Sequence, residues 1–262
     1  MTPEAAIAQA KKSALLPVYL VTGSEQWMRD LVIAELRTAA LGGGIAAFNE
    51  DRFTAGEVDV DKVVAAARTV PMMAPRRFVL VRSAERWDSA GGGDEDDGKK
   101  ESPLDRLMKY VSDPVDSTCL VIAAAKVDGR RKLATVAKKQ GFVVNCEPLD
   151  ARKLASWVVA QCKLRGHAIE PDVADLLSEL AGPEMAYLND AVERLSLFVG
   201  PGEPISEHAV AECIARVRTA DTWALGNAVG QRDLGAAMTL LAAWLPARRA
   251  TQIDPMVALR CD

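Results

Sequence analysis

Apolar and polar positions in the first 150 residues alternate between a strand rhythm and a helix rhythm. Pro17 to Val21 is a short apolar run closed by Thr22-Gly23-Ser24, which predicts a buried strand. A helix capped by Ser24 follows to about Leu41, with Trp27, Leu31, Ala34 and Leu36 at roughly helical spacing. Gly42-Gly43-Gly44 stops it, and Ile45 to Phe53 predicts a second strand with weaker alternation. A helix over about Val60 to Thr69 turns Val63, Val64 and Ala67 inward. Arg77 to Arg82 holds Phe78-Val79-Leu80-Val81, a continuous apolar run that suits a strand covered on both faces. Pro103 opens a helix to Val111, as a proline at the first helical position does. Thr118 to Ala125 predicts a strand, Arg130 to Gln140 a helix, and Phe142 to Cys146 a fifth strand. Between Asp88 and Ser102 the rhythm breaks into a Gly- and Asp-rich insertion, expected to be a solvated loop.

After Leu149 the strand pattern ends. Lys153–Leu164, Pro171–Leu180, Glu184–Phe198, Ser206–Ile214, Asp221–Gln231 and Leu234–Leu245 all read as helices, separated by Gly182-Pro183 and Gly200-Pro201-Gly202. Strands alternating with helices need crossover connections, so the fold class is α/β with a parallel sheet, then all-α.

Composition narrows the function classes. Net charge is -4, so no global positive field draws the chain to DNA or to an acidic membrane. The five cysteines are scattered, never as CxxC, and only His167 and His208 could join them, so no metal site is expected. His167 reads as an exposed turn residue beside Arg165 and Gly166. No basic-then-apolar leader opens the chain and no apolar run is long enough to span a bilayer, which predicts a reducing cytoplasm.

The first strand-to-helix turn is where a phosphate-binding loop would sit. Such a loop needs glycines that let backbone N–H groups cradle phosphates, then Lys-Ser/Thr. Here it reads Thr22-Gly23-Ser24-Glu25-Gln26-Trp27-Met28-Arg29, with an acid where phosphate would come. The strand Phe78–Val81 is followed by Arg82-Ser83-Ala84-Glu85 rather than the carboxylate pair that holds Mg²⁺. Glu85 reads as a surface glutamate, with a displaced catalytic acid as the alternative. No nucleotide-binding or catalytic residues are assigned, and no cofactor is expected.

Four segments carry a resemblance: Pro17-Val-Tyr-Leu-Val-Thr-Gly, Phe78-Val-Leu-Val-Arg-Ser-Ala-Glu-Arg, Val127-Asp-Gly-Arg-Arg-Lys-Leu and Leu188-Asn-Asp-Ala-Val-Glu-Arg-Leu. In this order and spacing they resemble the delta subunit of the bacterial DNA polymerase III clamp loader, from about Leu16 to Leu245. The resemblance implies an AAA+-like (P-loop) parallel-sheet domain with a degenerate nucleotide site over residues 1–149. It implies a helical lid domain over 150–218 and a partial helical collar over 219–262, the family's collar being longer. It also implies a subunit that binds and opens the sliding clamp (beta subunit) for loading onto primed DNA, without hydrolysing ATP. Its partners would be the ATPase and delta-prime subunits, in a complex with DNA polymerase activity.

The family presents two apolar residues between the helix ending near Thr69 and the strand starting at Arg77. The matching residues are Met72 and Met73, in Val70-Pro71-Met72-Met73-Ala74-Pro75-Arg76-Arg77. Pro71 and Pro75 keep the pair out of both flanking elements, and methionine adapts its shape to a partner's pocket. The other reading of Met72 and Met73 makes them a cap on the local core. The basic run Arg130-Arg131-Lys132, with Lys138 and Lys139, is a solvated helix face, a subunit contact or a DNA phosphate contact. Two rival functions stand beside the leading one: an ATPase of the same fold with an unconventional phosphate loop, and a helical adaptor for a different protein.

Overall fold

The computed structural model describes residues 1–89, 102–127 and 132–214, together with positions 230, 235 and 238. The chain divides into two compact units, one over Met1–Pro148 and one that begins at Leu149.

The first unit runs α1 (Pro3–Lys11), β1 (Val18–Thr22), α2 (Gln26–Leu41), α3 (Ala46–Asn49), β2 (Glu50–Thr54), α4 (Val60–Ala67), β3 (Arg77–Arg82), α5 (Glu85–Ser89), α6 (Pro103–Ser112), β4 (Thr118–Ala124), α7 (Lys132–Gln140) and β5 (Val143–Asn145). Its five strands form one parallel sheet in the order β2-β3-β4-β1-β5. Strand β4 lies in the middle and is buried at every position, as expected when helices cover both faces of a parallel sheet. On one face Val18, Leu20, Val79, Val81, Leu120 and Ile122 pack with α4, α6 and α7 through Val63, Leu107, Tyr110 and Leu133. The alternate residues Tyr19, Val21, Phe78, Leu80, Cys119 and Val121 are also buried. The two-residue period of a strand turns them to the opposite face, where α2 packs on β1, β3 and β4.

Several local expectations change. Helix α2 is capped by Glu25, not Ser24: the Glu25 carboxylate accepts from the Trp27 N–H at 3.2 Å, while the Ser24 hydroxyl donates to Glu147 at 3.2 Å. Residues 46–49 are helical, and the strand begins only at Glu50. The Ile45 carbonyl accepts both the Phe48 N–H at 3.2 Å and the Asn49 side chain at 2.9 Å, which closes that turn before the strand starts. Helix α1 had no counterpart in the apolar pattern. Its start signals are nonetheless present, with the Thr2 hydroxyl accepting from the Ala5 N–H and Pro3 at the first helical position.

The second unit holds α8 (Ala151–Leu164), α9 (Pro171–Ala181), α10 (Met185–Val199) and α11 (Glu207–Ile214). They enclose their own core of Leu154, Val158, Leu177, Leu188, Val192, Leu195 and Val210 among others. Asp150 caps α8 through the Arg152 N–H at 3.0 Å, so the helix starts earlier than its apolar stripe. His167 is buried rather than exposed, its Nδ1 held 2.8 Å from the Glu203 carbonyl. Apart from positions 230, 235 and 238, which are helical, the helices expected over Asp221–Gln231 and Leu234–Leu245 lie outside the described residues, as does most of the Gly- and Asp-rich insertion. No helix among the described residues is long and apolar enough to cross a membrane.

Candidate functional site

The segment that links α4 to β3 is fixed at both ends and open in the middle. Helix α4 ends where the Ala67 carbonyl accepts two buried hydroxyls, Thr118 Oγ1 at 2.8 Å and Tyr110 OH at 3.2 Å. Burial pushes the Tyr110 hydroxyl above its ordinary pKa, which keeps it a donor. At the far end the Arg76 N–H donates to the Ala40 carbonyl at 3.0 Å. Arg77 grips Asp51 through Nε at 2.9 Å and Nη2 at 2.6 Å, and reaches the Phe48 carbonyl at 3.0 Å.

Between these anchors the chain is held from below by Asn49, whose Oδ1 accepts the Met72 N–H at 2.6 Å while Nδ2 donates to the Met72 carbonyl at 2.8 Å. Gly42 and Gly44 let the loop approach closely. A Cβ on Gly42 would fall 2.6 Å from Pro75 Cγ, and one on Gly44 would fall 2.6 Å from Ala74 Cβ. The result exposes Met72 by 57% and Met73 by 89%, so the two side chains do not cap the local core. Met73 sits at φ 55, a left-handed conformation unusual for a residue with a side chain. Pro71 is half-buried, and Val70, Ile45 and Phe48 are exposed alongside.

A second location of interest is the crevice at the carboxyl ends of β3 and β4, beside the start of α2. A cavity of about 210 Å³ there is lined by Arg29, Asp30, Arg82, Ser83, Glu85 and Ala124 among others. Its charges face one another: Arg82 pairs with Asp30 at 3.3 Å, and the Arg29 guanidinium donates to the Gly23 carbonyl. The Glu25 N–H, which would point at a bound phosphate in a phosphate-binding loop, donates instead to the Cys146 carbonyl at 3.0 Å. Gly23, at φ 130, lies so close to Cys146 that a Cβ would meet its carbonyl oxygen at 2.1 Å. Glu85 is half-buried and accepts the Ala125 N–H at 3.2 Å.

The basic run is only partly described. Arg130 and Arg131 lie outside the described residues. Lys132 opens α7 with its ammonium 3.7 Å from Asp105 and most of the side chain in solvent; Lys138 and Lys139 are exposed. Lys132 follows β4 beyond the carboxyl ends of the strands, whereas the methionine loop enters β3 at their amino ends. Lys132 and the methionine loop therefore lie at opposite ends of the parallel strands. Among the described residues no group of three or more His, Cys, Asp or Glu could hold a metal ion. Sequence reasoning missed Asn49 and Gly44, whose partners in the loop lie more than twenty residues downstream.

Comparison with known proteins bears on this arrangement. Residues 19–147, which contain the sheet apart from the first residue of β1 and the whole methionine loop, match the family described as DNA polymerase III, delta subunit. This segment belongs to the DNA polymerase III delta subunit family. A curated relative, DNA polymerase III subunit delta of Bacillus subtilis, is 26% identical over 224 residues, 85% of this chain. The chain spans 63% of that relative's length. A solved structure, the Bacillus subtilis DNA clamp loader delta protein, superposes with a TM-score of 0.74 at 23% identity. That superposition covers 94% of this chain and 72% of the other, so the delta fold extends beyond the matched segment.

Proposed function

We propose that this chain is a clamp-loader subunit that docks on a ring-shaped sliding clamp through Met72 and Met73 and favours the ring's open form. The observation that carries the reading is the posture of that pair, exposed by 57% and 89% on a loop whose flanks are tied to the sheet. Exposed apolar side chains on a braced loop are what a hydrophobic pocket on a partner takes up, because little order has to be imposed on binding. Opening a ring needs no chemistry here. It needs tighter binding to the open form than to the closed form, and a ligand shifts an equilibrium by that difference alone.

The same reading assigns no nucleotide hydrolysis to this chain. The loop after β1 turns a carbonyl toward Arg29 and joins its Glu25 N–H to Cys146, which leaves no phosphate cradle in the described geometry. Nucleotide would act through the ATPase subunits of a loader, with delta-prime and primed DNA reached through the complex. Within the family resemblance, 150–218 would serve as the lid and 219–262 as part of a collar.

The test is binding of the purified chain to a purified bacterial sliding clamp by surface plasmon resonance. Burying a methionine side chain is worth about 1.5–3 kcal/mol. Replacing Met72 and Met73 together by Ala is therefore expected to weaken binding at least tenfold, about 1.4 kcal/mol, with the circular dichroism spectrum unchanged. Equal affinity of the wild type and the double variant would remove the assignment.

A further inference from the structure

Asn49 is fully buried, and its carboxamide makes three hydrogen bonds, donating to the Ile45 carbonyl at 2.9 Å and the Met72 carbonyl at 2.8 Å and accepting the Met72 N–H at 2.6 Å. Two carbonyls need donors and one N–H needs an acceptor, so the partners themselves dictate which way the amide points. Both backbone polar groups of Met72 are thus engaged by one rigid side chain, as a neighbouring strand would engage them. That fixes the two peptide planes around Met72 and with them the outward direction of its side chain. It also borders Met73, which is held left-handed, a conformation that persists only where its surroundings over-determine it.

We propose that Asn49 is a positioning residue for the docking loop: it presents Met72 and Met73 preformed, so that partner binding does not have to order them. The proposal deepens the docking assignment of the two methionines and rests on it. The chemistry is that of preorganisation. A loop freed from Asn49 samples postures in which one or both methionines fold against Ile45, Phe48 or Val70, all exposed nearby, and the bound posture must then be selected from that ensemble.

The experiment compares wild type, Asn49→Ala and Asn49→Asp. One readout is independent of any partner: the hydrogen-exchange protection factor of the Met72 amide, with Val79 and Leu80 in β3 as internal controls. Asn49→Ala is expected to lower Met72 protection at least tenfold and leave β3 unchanged. The second readout is affinity for the purified sliding clamp, on the wild-type background and on the Met72→Ala/Met73→Ala background. A loss of five- to tenfold on the first and none on the second is expected, because Asn49 acts through the methionines. An equal loss on both backgrounds, or unchanged Met72 protection, overturns the proposal.

Asn49→Asp serves where the alanine variant folds poorly. Its buried carboxyl can accept the Met72 N–H and donate to the Met72 carbonyl together only when protonated, and even then it has one donor for the two carbonyls that the amide serves. Met72 protection and clamp affinity are therefore expected to rise as pH falls from 7 to 5, and a flat profile in both overturns the proposal. A wild type that fails to bind the clamp while Asn49→Ala still unprotects Met72 would reject the docking assignment and leave Asn49's hold on the loop standing.

Discussion

A methyl group added at Gly44 would sit 2.6 Å from Ala74 Cβ and 2.9 Å from the Met73 carbonyl oxygen, distances no packed Cβ tolerates. One residue earlier, a methyl on Gly43 would meet nothing within 4 Å, although the backbone there has φ 87. The two substitutions therefore separate crowding from backbone strain. Gly43→Ala is expected to cost about 1–2 kcal/mol of stability, the penalty for a side chain in the left-handed region, and to leave clamp affinity unchanged. Gly44→Ala is expected to destabilise by about 1–3 kcal/mol through overpacking and also to weaken clamp binding, because the loop must shift. Thermal melts and the binding assay read both, and equal clamp affinity of the two variants would show that the close approach is idle. At this scale the sequence was only half legible. Paired prolines and two methionines mark a loop whatever surrounds it, and Gly42 at φ 51, its N–H on the Thr38 carbonyl, is the helix stop that a glycine run predicts. Gly44 and Asn49 act across gaps of more than twenty residues, and no local pattern encodes such a contact. His167 hid for a similar reason, since its partner Glu203 belongs to a later turn.

Strand β2 is the polar edge of the sheet, and ion pairs tie it to its neighbours where apolar burial is thin. Glu50 accepts from Arg37 of α2 at 2.6 Å and from Arg52 at 2.5 Å, and only 10% of its side chain is accessible. The Arg37 hydrogen bonds, reinforced by Arg52, hold its carboxyl below the usual glutamate value of 4.5 against the opposing effect of burial. With a folded-state value below the unfolded one, the unfolded chain binds the proton more readily. The contribution of Glu50 is then complete above the ordinary value and is lost as pH falls through the lowered one. Glu50→Gln is expected to cost about 1–3 kcal/mol at pH 7, the penalty for breaking a hydrogen bond to a charged partner. The gap between the variant and wild-type melting temperatures should close as pH drops from 5 to 3. A gap that stays constant with pH would show that Glu50 is not ionically engaged. The same edge explains a misread boundary. Strands β1, β3 and β4 were legible because their apolar runs are continuous. The segment Glu50-Asp-Arg-Phe-Thr is stabilised by charges, so the apolar Ile45 to Phe48 drew the predicted strand back to Ile45, although it begins at Glu50. Helix α1 went unseen because it buries only Pro3, Ala6 and Ala10, too small a face to leave a periodic mark.

The order of the elements, strands with helices and then helices alone, was legible because each switch changes the spacing of apolar residues. Strand order was not: that β4 lies between β3 and β1 follows from which faces fill, and no local signal carries it. The same division into two units supplies its own probes. Each unit encloses a separate apolar cluster, and each buries cysteines: Cys119 and Cys146 in the first, Cys162 in the second. Burial pushes the thiols of Cys119 and Cys146 up to about 12, and that of Cys162 to about 11. The thiolate is the nucleophile, so at pH 8 these sulfurs are both un-ionised and out of reach of reagent. Labelling by a maleimide then reports opening of the surrounding core, not chemistry at the surface. In native buffer, intact-mass and peptide analysis should find all three unmodified after exposure that saturates an accessible thiol. In a urea series, Cys119 and Cys146 should become reactive together, since one sheet buries both, while Cys162 follows a midpoint of its own. Two independent cores predict two transitions, because cooperativity extends only as far as shared packing. Labelling of all three at one common midpoint would mean that the units melt as a single body, and the second cluster would then owe its stability to the first.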